Sequence, residues 1–451
     1  MAMSTRKKAV EREALPTSDA VPSHRAAPAP AGAPAGAPTG APSPRRRASR
    51  RSVLRGSLGA ATLPGLSALI AACTGSHPDG TGARPVRSPN PDEPALWPVK
   101  PDNPPIAANL KPERGQPLKI FNWADYIDPQ ALASFKDSVG VAVEVTTYSN
   151  NSDALETISS GKVDYDIYLP SYDQIGRLIR GGHLRPLNHS YIPNITNVWP
   201  DFQNPFYDQQ WRYTVPYTVY NTGIAWRSDM ISEDIGVRAN PFDVFWDSRY
   251  REKISVINDY RAVMGMVLLR NGLGLNTTTQ SDLDLVRTQL ADMVNKTRPK
   301  ATITNYRDLP GGHFPIVQAW SGDVVNARNY LSRGTDPAVL RYWSPSDDRH
   351  QADNDMMVIL RTGRNPVAAH LFLNHMLDSN VALSNFAAIG YQPPQNHITP
   401  AGLVKQGFLP PNLADAAVEP AYFATGRRTL ELDSDTDKHW KTVWDEFRTN
   451  T

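Results

Sequence analysis

The sequence predicts an α/β protein, and three observations predict it. From Leu118 onward, three strand signals alternate with two helix signals in about fifty residues, the rhythm of a parallel sheet with crossover helices. A second section from Ile254 repeats that alternation. The last part of the chain supplies helical segments with a glycine cap and an apolar stripe.

Each element has a local reason. Leu118-Lys119-Ile120-Phe121 reads as a short strand ending at Asn122-Trp123. Asp128-Pro129 gives an N-cap and a first-turn proline to a helix through Ala133 and Phe135. After Gly140, the run Val141–Thr146 is β-branched and alternating, a second strand. A helix around Leu155 and Ile158 stops at Gly161, and Tyr165–Leu169 forms a third strand closed by Pro170-Ser171. Ligands collect at the carboxyl ends of such strands, which singles out Trp123–Tyr126 and Ser171–Asp173. Tyr213–Tyr220 is strand-like and leads through Asn221-Thr222-Gly223 into the second section. There Ile254–Ile257 reads as a strand, Arg261–Arg270 as a helix, and Asp282 to about Met293 as another. Pro366–Leu377 and Val381–Ala388 are helical, the second closing on Gly390. The final helix, about Asp437–Phe447, carries Trp440, Val443 and Trp444 on one stripe.

The first part of the chain reads differently. Residues 1–48 are Pro/Ala-rich, with an APAGAPAGAPTGAP tract that cannot bury a core, and are expected to be disordered. Residues 49–72 hold a twin arginine, Arg50-Arg51, then a mildly apolar run ending in Leu69-Ile70-Ala71-Ala72 before Cys73, the only cysteine. This segment resembles a twin-arginine lipoprotein signal peptide, which implies cleavage before Cys73 and lipid attachment to its sulfur. Pro64 and several Gly, Ser and Thr residues make it a poor membrane span. Residues 73–116, rich in Pro, Gly, Asn and charge, read as a lipid-anchored flexible tether. Of 47 Lys+Arg and 45 Asp+Glu, residues 1–72 hold 11 and 3; the remainder keeps 36 and 42, a net of about −6. That balance argues against a nucleic-acid partner and is compatible with a cationic ligand.

From Leu118 to the last helix the chain resembles the spermidine/putrescine-binding proteins of bacterial ABC importers. The resemblance rests on landmarks in order: Phe121-Asn122-Trp123-Ala124-Asp125-Tyr126, Tyr165-Asp166-Ile167 with Pro170-Ser171, and Val215-Pro216-Tyr217 into Thr222-Gly223-Ile224. They continue with Trp246, Tyr250, Lys253-Ile254 and Asp259-Tyr260-Arg261, then Asn271-Gly272-Leu273-Gly274, Ala319-Trp320-Ser321-Gly322 and Ile389-Gly390-Tyr391. The likeness implies a two-lobed periplasmic-binding-protein fold over 117–451, a clam shell whose lobes each hold a mixed or parallel sheet flanked by helices. Lobe one is expected at about 117–224 with 356–400, and lobe two at about 225–355 with 401–451. Such a protein closes on a solute between its lobes and presents it to a membrane permease.

A polyamine has ammonium groups at fixed intervals, so it needs spaced carboxylates and aromatic walls. By the resemblance, Trp123, Tyr126, Trp320 and Tyr391 fall where the family lines its cleft with aromatics. Asp259 and Asp355 fall on amine-binding carboxylate positions, Asp125 on an acidic position beside the first aromatic, and Ser171 on a polar turn contact. The chain departs from that pattern at three places. Ala262 stands where a second acid is expected, Asp353 where a tryptophan is expected, and Asp173 where an aromatic is expected, with Tyr172 adjacent as a substitute.

The implied protein is therefore a monomeric, exported, lipid-anchored solute binder on the outer face of the cell membrane. It has no catalytic role, cofactor or metal. Two alternatives stay open. One keeps the fold and changes the cargo to another small solute or a ferric ion, with Tyr217 and Tyr220 as paired ligands. The other is a secreted lipoprotein enzyme with Asp347, Asp348, Asp353 and Asp355 as a metal cluster. It lacks a calcium-loop glycine and glutamate, a His-Glu-x-x-His pair and a Gly-x-Ser-x-Gly elbow.

Overall fold

A computed structural model describes residues 88–451. In chain order its elements are β1 (Leu118–Trp123), α1 (Pro129–Val139), β2 (Val143–Tyr148), α2 (Asn151–Ser159), β3 (Ile167–Tyr168), α3 (Ile175–Arg180) and the long β4 (Thr214–Arg227). Then come β5 (Ile254–Ile257), α4 (Tyr260–Arg270), α5 (Gln280–Thr297), β6 (Lys300–Thr302), α6 (Asn305–Gly311), β7 (Ile316–Trp320), α7 (Ser321–Ala327) and β8 (Leu340–Trp343). The chain ends with β9 (Ala352–Ile359), α8 (Pro366–Met376), α9 (Ser379–Ile389), α10 (Pro400–Lys405), α11 (Pro420–Thr425) and α12 (Ser434–Thr449). None of the described helices is long and apolar enough to cross a membrane.

Local chemistry accounts for the helix ends. The Asp128 side chain accepts from the Gln130 amide, Pro129 opens α1, and Gly140 closes it in the left-handed region. Gly390 closes α9 in the same way. The apolar stripe of α12 buries Trp440, Val443, Trp444 and Phe447 against the core around β5 and α4.

The strand β4 organises the whole sheet. Residues 214–221 pair antiparallel with β9, which pairs in turn with β3, and β1 and β2 complete a first sheet in parallel register. Residues 222–227 pair instead with β7 on one side and β8 on the other, and β5 and β6 extend the second sheet. All but the last residue of β4 are buried, so this aromatic and β-branched run lies in both cores. Pro216, which cannot donate to a ladder, sits where the β4–β9 register shifts. Gly223 follows the crossover: a Cβ there would lie 2.1 Å from the Trp343 carbonyl oxygen, so only glycine lets β8 approach. Alternation along β9 sends Met357 and Ile359 to one face of the first sheet and Met356 and Val358 to the other.

Three expectations need correction. The strand at Tyr213–Tyr220 runs on through Arg227, because Thr222–Trp226 find a ladder partner in β7. The expected lobe boundary between 355 and 356 cuts through β9, which pairs with the first sheet from Ala352 onward. The expected flexible tether is ordered from residue 88 on, and its later part is docked: Trp97 is 2% exposed, Asn103 donates to the Leu184 carbonyl, and the Glu113 carboxylate accepts from the first-turn amides of Val367 and Ala368 in α8. Its polar, proline-rich composition hides this because the partners are all distant in sequence. The expectations for 1–48, for the signal segment 49–72 and for Cys73 lie outside the described residues.

Candidate functional site

The carboxyl ends of four parallel strands face one cleft: Trp123 ends β1, Ser171 follows β3, Asp259 follows β5 and Trp320 ends β7. The antiparallel β9 adds Asp353 and Asp355, and β4 adds Tyr220. The cleft has two adjoining halves that share Asn151, Ser171, Tyr220 and Trp320 and enclose about 730 and 610 Å³ of empty space up to the mouth. Every residue that the resemblance placed in the ligand site lines it. Trp123, Asp125, Tyr126, Asp355 and Tyr391 line one half; Tyr172, Asp173, Asp259 and Asp353 line the other; Ser171 and Trp320 line both.

The first half is an aromatic box around two buried acids. Trp123 and Trp320 meet edge-on at 6.0 Å, Tyr220 lies 6.2 Å from Trp320 and 5.8 Å from Tyr391, and Tyr391 meets Tyr126 at 4.7 Å. Asp355, 4% exposed, accepts from the Tyr126 hydroxyl at 2.8 Å, the Ser171 hydroxyl at 2.6 Å and the Tyr220 hydroxyl at 3.2 Å. Burial pushes its carboxyl up to about 6, although the three hydroxyls pull the other way. Asp323 in the first turn of α7, 7% exposed, accepts from the Tyr391 hydroxyl at 2.9 Å, and burial raises it to about 7. No lysine or arginine lines this half.

Two glycines hold the box together. A Cβ on Gly322 would strike the Tyr391 ring at 2.3 Å, and one on Gly390 would lie 2.3 Å from the Gly322 carbonyl oxygen. The Trp320-Ser321-Gly322 and Gly390-Tyr391 runs therefore interlock, which explains their glycines.

The second half mixes charges. Asp353, 5% exposed, accepts from the Tyr172 hydroxyl at 2.6 Å and from Gln351 and Thr429. Asp259 caps α4 by accepting from the Ala262 amide at 3.0 Å, and burial raises its carboxyl. Asp173 is half-buried in the cleft wall, and desolvation pushes it up to about 7, with Arg261 opposing. Arg177, Arg261 and Lys441 also line this half, but Arg177 and Lys441 each hold Asp437 at 3.1 Å. The Arg261 guanidinium goes to the Leu430 carbonyl and Asn276 and lies 4.8 Å from the Trp440 ring.

Sequence reasoning missed Asp323, Tyr306, Arg307 and Arg261. Asp323 follows directly on the Ala319-Trp320-Ser321-Gly322 landmark, one turn after the tryptophan, and that spacing could have found it. Asp125, with φ +53°, is not free at the mouth: the Tyr306 hydroxyl donates to it at 2.8 Å and Arg307 pairs with it across the cleft. The paired tyrosines of the iron alternative are not a pair. The Tyr217 hydroxyl donates to the Tyr126 carbonyl and accepts from Asn385, whereas Tyr220 donates to Asp355. Asp347, part of the cluster in the enzyme alternative, is spent on Arg349.

The profile of the bacterial extracellular solute-binding proteins matches residues 122–381, more than half of the chain. The chain belongs to this family. It is 25% identical over 277 residues to the putrescine-binding periplasmic protein PotF of Escherichia coli, covering 58% of this chain and 74% of the relative. It is 24% identical over 340 residues to the putrescine/cadaverine-binding protein of Pseudomonas aeruginosa, covering 73% and 94%. Among solved structures, a spermidine/putrescine ABC transporter protein from Listeria monocytogenes superposes with a TM-score of 0.65 at 25% identity, covering 75% of this chain and all of the other. The two sheets joined by β4 are thus the two lobes of a solute-binding protein, and the cleft lies between them.

Proposed function

We propose that the chain is the substrate-binding lipoprotein of an ABC importer and that it captures a polyamine, such as putrescine or spermidine, or a related cationic amine in this cleft. The observation that carries the reading is the first half of the cleft: two buried carboxylates, Asp355 and Asp323, inside the aromatic box of Trp123, Tyr126, Tyr220, Trp320 and Tyr391, with no protein cation among its lining. Unpaired buried carboxylates are costly unless a positive charge arrives. An ammonium placed there gains charge-assisted hydrogen bonds and cation–π contacts together. A second ammonium lies toward Asp259, Asp353 and Asp173, where Arg261 lowers the net negative charge. The ligands for which the relatives are named, putrescine and cadaverine, support the same class.

The protein is a binder rather than an enzyme and acts as a monomer. Lipid on Cys73 holds it at the outer face of the membrane, where the loaded form meets permease subunits. Isothermal titration against putrescine, cadaverine and spermidine tests the reading. Saturable, stoichiometric, reversible uptake of one of them is the expected result; no heat with any of them overturns it.

A further inference from the structure

The docked segment ahead of the first strand reaches the back of the cleft wall. Ala95 exchanges backbone hydrogen bonds with the 206–209 loop, its amide donating to the Phe206 carbonyl at 2.7 Å and its carbonyl accepting from the Gln209 amide at 2.9 Å. The buried Trp97 indole donates to the Tyr207 carbonyl at 2.7 Å, and the Tyr213 hydroxyl donates to the Pro98 carbonyl at 3.0 Å. This loop has little regular structure of its own and passes through left-handed backbone at Gln210 and Trp211. On its inner side the Tyr207 ring stacks on Tyr172 at 5.6 Å and 18°, and its hydroxyl accepts from Asn354 at 3.1 Å. Tyr172 in turn donates to Asp353. A chain of contacts thus runs from Trp97 through Tyr207 to Tyr172 and Asp353.

We propose that Trp97 is a positioning residue for the ligand site: the N-terminal strap clamps the 205–213 loop and sets where Tyr172 and Asp353 stand in the cleft. The strap lies outside the residues matched by the family profile. The inference rests on the reading of the cleft as the ligand site, and its test separates the two.

The test compares Trp97→Ala with Glu113→Ala in the full chain. Glu113 belongs to the same strap but caps α8, away from the cleft. Both variants are expected to lower the melting temperature. Only Trp97→Ala is expected to weaken putrescine binding, at least fivefold, and to speed hydrogen exchange at the amides of 171–174 and 353–355 in the ligand-free protein. Putrescine affinity within twofold of the parent together with unchanged protection overturns the proposal, as does an equal effect of Glu113→Ala on both readouts. If the parent binds no amine, the ligand reading fails, and the exchange comparison alone decides the strap. Should Trp97→Ala fail to fold, Trp97→Phe, which keeps an aromatic ring, though a smaller one, and lacks the donor to the Tyr207 carbonyl, takes its place under the same criteria.

Discussion

Asp355→Asn should separate function from stability, because the two are expected to move in opposite directions. The substitution keeps the shape of a side chain that is 4% exposed and held by three hydroxyls. For binding, it replaces a carboxylate by an amide beside the ligand's ammonium. The loss of one charge-assisted hydrogen bond, about 1.5–3 kcal/mol, corresponds to roughly 10- to 150-fold in affinity. For folding, the sign follows from the raised carboxyl. Its value of about 6, against 3.8 ordinarily, means the folded state favours the neutral form. Stability is therefore gained as pH falls through 6 toward 4 and is missing at pH 7.5, where the ionised group costs up to about 3 kcal/mol. An asparagine never ionises, so that cost disappears; the three hydroxyls can turn to meet its amide. Titration with putrescine and thermal denaturation of the ligand-free protein, both at pH 7.5, should show affinity at least tenfold lower and a melting temperature no lower than the parent's. Parent-like affinity, or a large fall in melting temperature, would refute the argument that this acid is kept for the ligand.

Binding should depend on pH with a definite sign. Asp355 at about 6 and Asp323 and Asp173 at about 7 must ionise to hold ammonium, so affinity should fall as pH drops from 7.5 to 5.5, and uptake at pH 6.5 should release protons, seen as buffer-dependent heats. Arg307→Ala removes the exposed cross-cleft pair with Asp125; stopped-flow release of putrescine should quicken at least twofold, while ligand-free stability falls by less than about 1 kcal/mol. Gly223→Ala puts a methyl against the Trp343 carbonyl and should cost at least about 2 kcal/mol in a denaturant titration; an unchanged midpoint would contradict the close packing of β4 on β8. Cys73→Ala should move the protein from the membrane fraction to the soluble one, and continued membrane association would refute the lipid anchor.

The parts of the fold legible in the sequence are those with local causes. Asp128-Pro129 and Gly140 bound α1 because capping acts within four residues, and Ile254–Ile257 is a strand because its residue types suit one. The cleft could be approached from sequence because strand ends mark it. What escaped depends on distant partners. Trp97 donates to a carbonyl 110 residues away, and Asp125 meets a guanidinium 182 residues away, so no window around either residue contains the reason for its place. The extension of β4 past Tyr220 has the same origin, since its ladder partner β7 lies about a hundred positions later. Asp323 escaped differently: its neighbours were recognised, but an acid in the first turn of a helix also reads as an ordinary complement to the helix dipole.

The electrostatics of the cleft also connect ligand capture to lobe closure. In this structure Asp355 and Asp323 face aromatic rings and hydroxyl donors, and burial pushes both toward neutrality. A closed cleft without ligand must therefore hold protons where the ligand would bring ammonium groups, or else keep ionised acids out of water. Opening the lobes removes that penalty by readmitting water. Amine binding removes it by supplying the counter-charge. Among the cross-cleft ion pairs, Asp125 with Arg307 is exposed and contributes little, whereas Arg177 with Asp437, and Arg177 and Arg180 with Glu431, set buried carboxylates against partly exposed arginines. Charge inside the cleft therefore acts on the balance between open and closed forms alongside the latches at its rim. Asp355→Asn should for that reason shift the ligand-free protein toward the closed form even as it weakens binding. Small-angle scattering of the two ligand-free proteins at pH 7.5 would register this as a smaller radius of gyration in the variant; equal or larger values would show that the rim, not the acids, governs closure.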